Sequence, residues 1–113
     1  MNTPEVEMAR GFVPAEIIEY AANSVASRTI YKKPSGSMTI LAFDAGIERT
    51  EKSSPFDTIA QNIEGTVEVV INGIPQILHT GMVIIIPAHT STTIKGTSRS
   101  KIILTVIKSG YEG

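Results

Sequence analysis

One hundred and thirteen residues sit near the commonest size of a single domain, long enough to bury one core without staples. With no cysteine, disulfides and thiolate metal sites are excluded. Ten Lys+Arg against eleven Asp+Glu, a formal charge of −1, build no basic face for nucleic acid, and no apolar run is long enough to cross a membrane as a helix.

In chain order, residues Met1 to Gly11 are polar, mixed and expected to fray, as is the tail Ser109 to Gly113. The start has no cationic stretch followed by an apolar run, so no secretory leader is expected. Without a leader or cysteines, the expected location is the cytoplasm. From Phe12 to Tyr20, Pro14 suits a first helical turn, and Ile17, Ile18 and Ala21 would share one face. A short N-terminal helix is therefore predicted, ending at Ala22-Asn23-Ser24.

The rest reads as strands: Ser24 to Tyr31, Met38 to Asp44, Thr58 to Glu64, Thr66 to Ile71, Ile74 to Leu78, Met82 to Ile86, Thr92 to Lys95 and Lys101 to Lys108. Isoleucine, valine and threonine dominate them, and these stiff side chains pack well on a pleated surface. Turn residues at Gly65, Asn72-Gly73, Thr80-Gly81 and Pro87 recur at roughly the 8–12 residue spacing of a barrel or sandwich. Asn72-Gly73 suits a type I′ hairpin, whose two central residues need positive φ. Lys32, Lys33 and Pro34 after the first strand, and Pro75 near the start of its own, mark edges. No internal repeat or linker divides the chain, so residues 1–113 are read as one domain with a core at about 25–108 and an arm at 1–23.

The glycine and proline spacing resembles the cupin superfamily, whose first motif is G-x5-H-x-H-x3/4-E-x6-G and whose second is G-x5-P-x-G-x2-H-x3-N. Gly46, Gly65, Gly81 and Pro87 fit that skeleton, and SSPFDTIAQNIEGTVEVVINGIPQILHTGMVIIIPA resembles the corresponding stretch of small stand-alone cupins. The resemblance runs from about Val25 to Lys108. It implies an all-β double-stranded β-helix, or jelly-roll barrel, and a homodimer. Antiparallel strands that close on themselves leave a mouth where small molecules bind.

Carried over position by position, the motif histidines fall on Lys52, Ser54 and Thr92, the glutamate on Thr58 with Asp57 beside it, and the asparagine on Gly96. An ammonium offers only donors, and hydroxyls without imidazole or carboxylate are poor ligands for transition metals. No tightly bound metal and no cofactor is therefore expected. Instead Lys52, Ser54, Thr58 and Thr92, with Gln61 further along the same strand, would hold a carboxylate, phosphate or sugar hydroxyl in the mouth. The alternative is that Lys52 reaches solvent while the threonines bond across the sheet.

His79 beside Thr80-Gly81 reads as a turn residue. His89, at the second-motif glycine, is a loop residue that either stays at the surface or reaches the pocket as a base or lone ligand. Glu48 and Glu51 read as a solvated charge cluster on a loop. Three functions remain open at this point: a metal-free module binding a small polar or anionic ligand, a metal-independent isomerase-like or degenerate enzyme using His89, Asp57 or Lys52 as base, and a dimeric assembly module.

Overall fold

A computed structural model describes residues 6–108. The expectations for residues 1–5 and for the tail at 109–113 lie outside the described residues. Among the described residues nine strands follow one another: β1 (Val25–Lys33), β2 (Gly36–Phe43), β3 (Glu48–Glu51), β4 (Asp57–Glu64), β5 (Val67–Ile71), β6 (Ile74–Leu78), β7 (Val83–Ile86), β8 (Thr92–Gly96) and β9 (Ser100–Ile107). They form a five-stranded sheet in the order β1-β2-β9-β4-β7 and a four-stranded sheet in the order β3-β8-β5-β6. All pairings are antiparallel. The expected edges are edges: β1 ends the large sheet and β6, carrying Pro75, ends the small one. Asn72 and Gly73 take φ of 50° and 81°, the positive values a tight hairpin needs.

Strand alternation sends one set of side chains between the sheets. Leu41, Phe43, Ala60, Val67, Val69, Leu78, Ile86, Ile94 and Ile102 form that core. β2 is different, because Ile40, Leu41, Ala42 and Phe43 are all buried in succession. A strand can be apolar on both faces only if both are covered. The outer cover is the segment before β1: Ile18 is buried against Ile40, Ala42 and Ile103, with Ile17 and Tyr20 packed beside it.

The predicted N-terminal helix is not formed. A single 3-10 turn spans Pro14–Glu16, and the chain then runs across the outer face of the large sheet. The physical reason lies in the carbonyls. The Lys101 Nζ donates to the Ala15 carbonyl at 2.6 Å and the Arg28 guanidinium donates to the Ile17 carbonyl at 2.8 Å. Side chains of the sheet thus occupy acceptors that a continuing helix would have filled with its own N–H groups. Ala21, assigned to the apolar face of that helix, is exposed. Asn23 does take a left-handed φ of 55°, at the turn into β1.

β3 is the strand that turn and periodicity signals missed. Glu48, Arg49, Thr50 and Glu51 pair with Lys95, Ile94, Thr93 and Thr92 of β8, so the acidic pair placed on a loop belongs to a sheet edge. Among the described residues no helix is long and apolar enough to cross a membrane.

Candidate functional site

Between the sheets, toward one end, the core gives way to a cavity of about 250 Å³. β2 contributes Thr39 and Leu41, β9 contributes Leu104 and Val106, β4 contributes Thr58 and β7 contributes Ile86. Across from them stand Arg49 and Glu51 of β3 and Thr92 and Ile94 of β8. Lys52, Ser54, Phe56, Pro87 and Thr90 complete the rim from two loops. Those loops are tied together: the His89 N–H donates to the Ser54 carbonyl at 2.7 Å, and the Ala88 N–H donates to Asp57 Oδ1 at 2.9 Å.

Of the six residues singled out from sequence, Lys52, Ser54, Thr58 and Thr92 line this cavity, whereas Gln61 and His89 do not. For Gln61 the reason is parity. Thr58 points inward on β4, so Ala60 and Asn62 follow it while Gln61, three positions on, is exposed on the outer face. His89 is exposed, and its backbone φ of 63° is the left-handed value of the motif glycine it replaces. His89→Gly should therefore fold at least as stably, while His89→Val should lose about 1–2 kcal/mol through left-handed strain, read from urea unfolding.

Sequence reasoning missed Arg49 and Glu51, because a four-residue charged strand has no apolar alternation. In the structure Arg49 Nε lies 3.4 Å from Glu51 Oε1, with the Arg49 side chain exposed and that of Glu51 partly buried. Asp57 accepts the Ala88 N–H.

The hydroxyls differ in how they are used. Ser54 Oγ accepts the Phe56 N–H at 3.0 Å, and Thr90 Oγ1 donates to the Pro87 carbonyl at 2.7 Å. Thr92 is 3% exposed, and its hydroxyl has no hydrogen-bond partner among the described residues. Burying a polar group without a partner carries a desolvation cost, which a hydrogen bond to Thr92 Oγ1 would offset.

The donor set does not fit a transition metal. The cavity wall offers an ammonium, a guanidinium, hydroxyls and one carboxylate already paired with Arg49. Among the described residues no three His, Cys, Asp or Glu side chains gather to hold an ion.

No protein-family model matches the chain, and no curated protein matches it. Solved structures do. A conserved protein of unknown function from Streptococcus pyogenes has a TM-score of 0.84 at 22% identity, over 93% of this chain and 92% of that one. A cupin superfamily protein from Desulfitobacterium hafniense has a TM-score of 0.84 at 20% identity, over 95% and 98%. A salicylate 1,2-dioxygenase mutant from Pseudoaminobacter salicylatoxidans has a TM-score of 0.70 at 18% identity, over 76% of this chain but 27% of that one. The path of the backbone is shared at low sequence identity, and this chain has the cupin fold.

Proposed function

We propose that this protein is a cytoplasmic, metal-independent binding module that takes a small ligand in the mouth of its barrel. The observation that supports this most is the cavity itself: about 250 Å³, apolar at depth, with Lys52, Thr58 and Thr92 on its wall and no imidazole there. Convergent polar groups on an apolar wall are the usual form of a small-molecule site, and this volume, just below the range of about 300–1,000 Å³ for such sites, suits a small ligand. The bases considered for an enzyme weaken that alternative, because His89 and Asp57 are absent from the lining and Lys52 is exposed.

A thermal-shift screen with sugars, organic acids and phosphates tests the reading. A ligand at a hundred times its dissociation constant adds about 2.7 kcal/mol of stability, a readily seen rise in Tm. Lys52→Ala should keep stability within about 0.5 kcal/mol, because the side chain is exposed, while changing the response to charged hits. Elemental analysis should find no stoichiometric metal. A stoichiometric ion, or silence across the screen, overturns the proposal.

A second copy of the chain is the partner we infer. Outward-facing residues Met38, Thr105, Ile59 and Ile85 stand in one register row across β2, β9, β4 and β7. Ile85 is 64% exposed and Val83 52%, with Met38 and Ile107 exposed around them. The N-terminal arm packs on the other half of this outer face, against Ile40, Ala42 and Ile103, and among the described residues none is found over this half. A two-fold axis through such a patch would pack the sheet against its own copy. Light scattering should report twice the chain mass, and Ile85→Asp should halve it without loss of β-sheet circular dichroism. A clean wild-type monomer excludes the pairing.

A further inference from the structure

The two walls of the cavity are chemically unlike. On the five-stranded side stand Leu41, Leu104, Val106 and Ile86, interrupted only by the hydroxyls of Thr39 and Thr58. On the four-stranded side, the inward positions of β3 and β8 place Glu51 directly opposite Thr92 and Arg49 directly opposite Ile94. Lys52 follows Glu51 at the rim. An occupant therefore meets hydrocarbon on one side and a small polar cluster on the other.

The charges of that cluster decide its sign. Arg49 and Lys52 carry two positive charges against one on Glu51, leaving one in excess. Arg49 meets Glu51 through Nε, at 3.4 Å from Oε1, and at 44% side-chain exposure its guanidinium stands at the open side of the cavity, within reach of an incoming anion. A guanidinium presents its nitrogens as a planar fork that matches two carboxylate oxygens. The Thr92 hydroxyl, buried and unpartnered two positions along β8 from Ile94, is a further donor for an acceptor-only group. One excess charge balances a monoanion. A phosphate dianion would leave a negative charge uncompensated beside Glu51.

Resting on the small-ligand reading above, we propose that the occupant is a small monocarboxylate with an apolar body. Its carboxylate lies against Arg49 and Thr92, and its hydrocarbon packs on Leu41, Leu104 and Val106. Arg49 and Thr92 are the specificity-determining residues, and Lys52 raises the local anion concentration at the rim.

The test uses the full chain and isosteric pairs of probes: benzoate against benzamide, and hexanoate against hexanamide, with glucose as a polar neutral control. Amide chemical shifts of β8 and β9 are followed during titration. At least one carboxylate should bind ten-fold or more tightly than its own amide. Arg49→Gln should bring that ratio to within about two-fold of one, and Thr92→Val should weaken the carboxylate several-fold while leaving the fold intact. High salt should weaken the carboxylate and not the amide. If an amide or glucose binds as well as or better than the carboxylates, the monocarboxylate assignment is overturned and the pocket reading survives. An unchanged ratio in Arg49→Gln likewise overturns the assignment. If no probe moves any resonance of the cavity wall, the monocarboxylate assignment is overturned, and the small-ligand reading is decided by the broader thermal-shift screen.

Discussion

Gly65→Val is expected to yield no folded protein, or one that has lost more than about 4 kcal/mol, a size of effect that point substitutions rarely reach. Gly65 turns the chain from β4 into β5 at φ +76°, where a side chain is strained in any surroundings. Space is also lacking: a Cβ there would stand 2.1 Å from the Arg99 carbonyl oxygen and 2.6 Å from Ser100 Oγ. The backbone cannot move aside, because the Gly65 carbonyl accepts from Asn62 Nδ2 at 2.8 Å and from Thr80 Oγ1 at 3.0 Å. Even Gly65→Ala meets the same carbonyl. Gly81 holds an equally left-handed φ of +92°, but nothing lies within 4 Å of where its Cβ would stand. Gly81→Ala should therefore lose only the conformational part, about 1–2 kcal/mol. Urea midpoints of the two alanine variants measure the contrast; equal losses would mean that the turn, and not the packing behind it, sets the cost.

Lys101→Ala is expected to cost about 2–3 kcal/mol, the range for a buried hydrogen bond made by a charged group. Its side chain is 10% exposed, its Nζ donates to the Ala15 carbonyl at 2.6 Å, and it lies 4.8 Å from the centre of the Tyr20 ring. The Glu64 carboxylate, 3.7 Å away and 43% exposed, adds less because water screens it. The loss should be local first: hydrogen exchange should quicken across the N-terminal arm before it does in β4 or β9.

The same cluster predicts a pH dependence. Burial, then the hydrogen bond that the Tyr20 hydroxyl donates to Glu64, raise the Tyr20 pKa well above its ordinary value. The unfolded chain releases this proton near pH 10 while the folded chain keeps it. The associated stability is therefore fully present below about pH 10 and falls as pH rises further toward the folded value. Tyr20→Phe should flatten that alkaline limb, and an unchanged limb would show that another group titrates there.

Much of the barrel was legible because turns and strands declare themselves locally. Asn72-Gly73 can only serve a tight reversal cheaply, Pro75 cannot sit inside a ladder, and β-branched runs between glycines favour extended chain. The residue types at Lys52, Ser54, Thr58 and Thr92 were equally plain, since a lysine or threonine cannot become an imidazole through folding. The missed features have two other causes. Gln61 was lost to a parity count. Arg49 and Glu51 look solvated until β8 pairs with β3 and turns alternate residues inward.

What the amino-acid order determined by itself was the run of strands, their reversals and the chemical types standing at Lys52, Ser54, Thr58 and Thr92. Those depend on neighbours a few residues apart, through φ preferences and side-chain type. Tertiary structure alone decided that residues 12–20 form an arm and not a helix, because Lys101 and Arg28 arrive from distant strands to take the carbonyls. It also decided that the hydroxyl of Thr92 is sealed without a partner opposite Glu51, since burial and pairing across sheets are properties of the closed barrel and of no single segment.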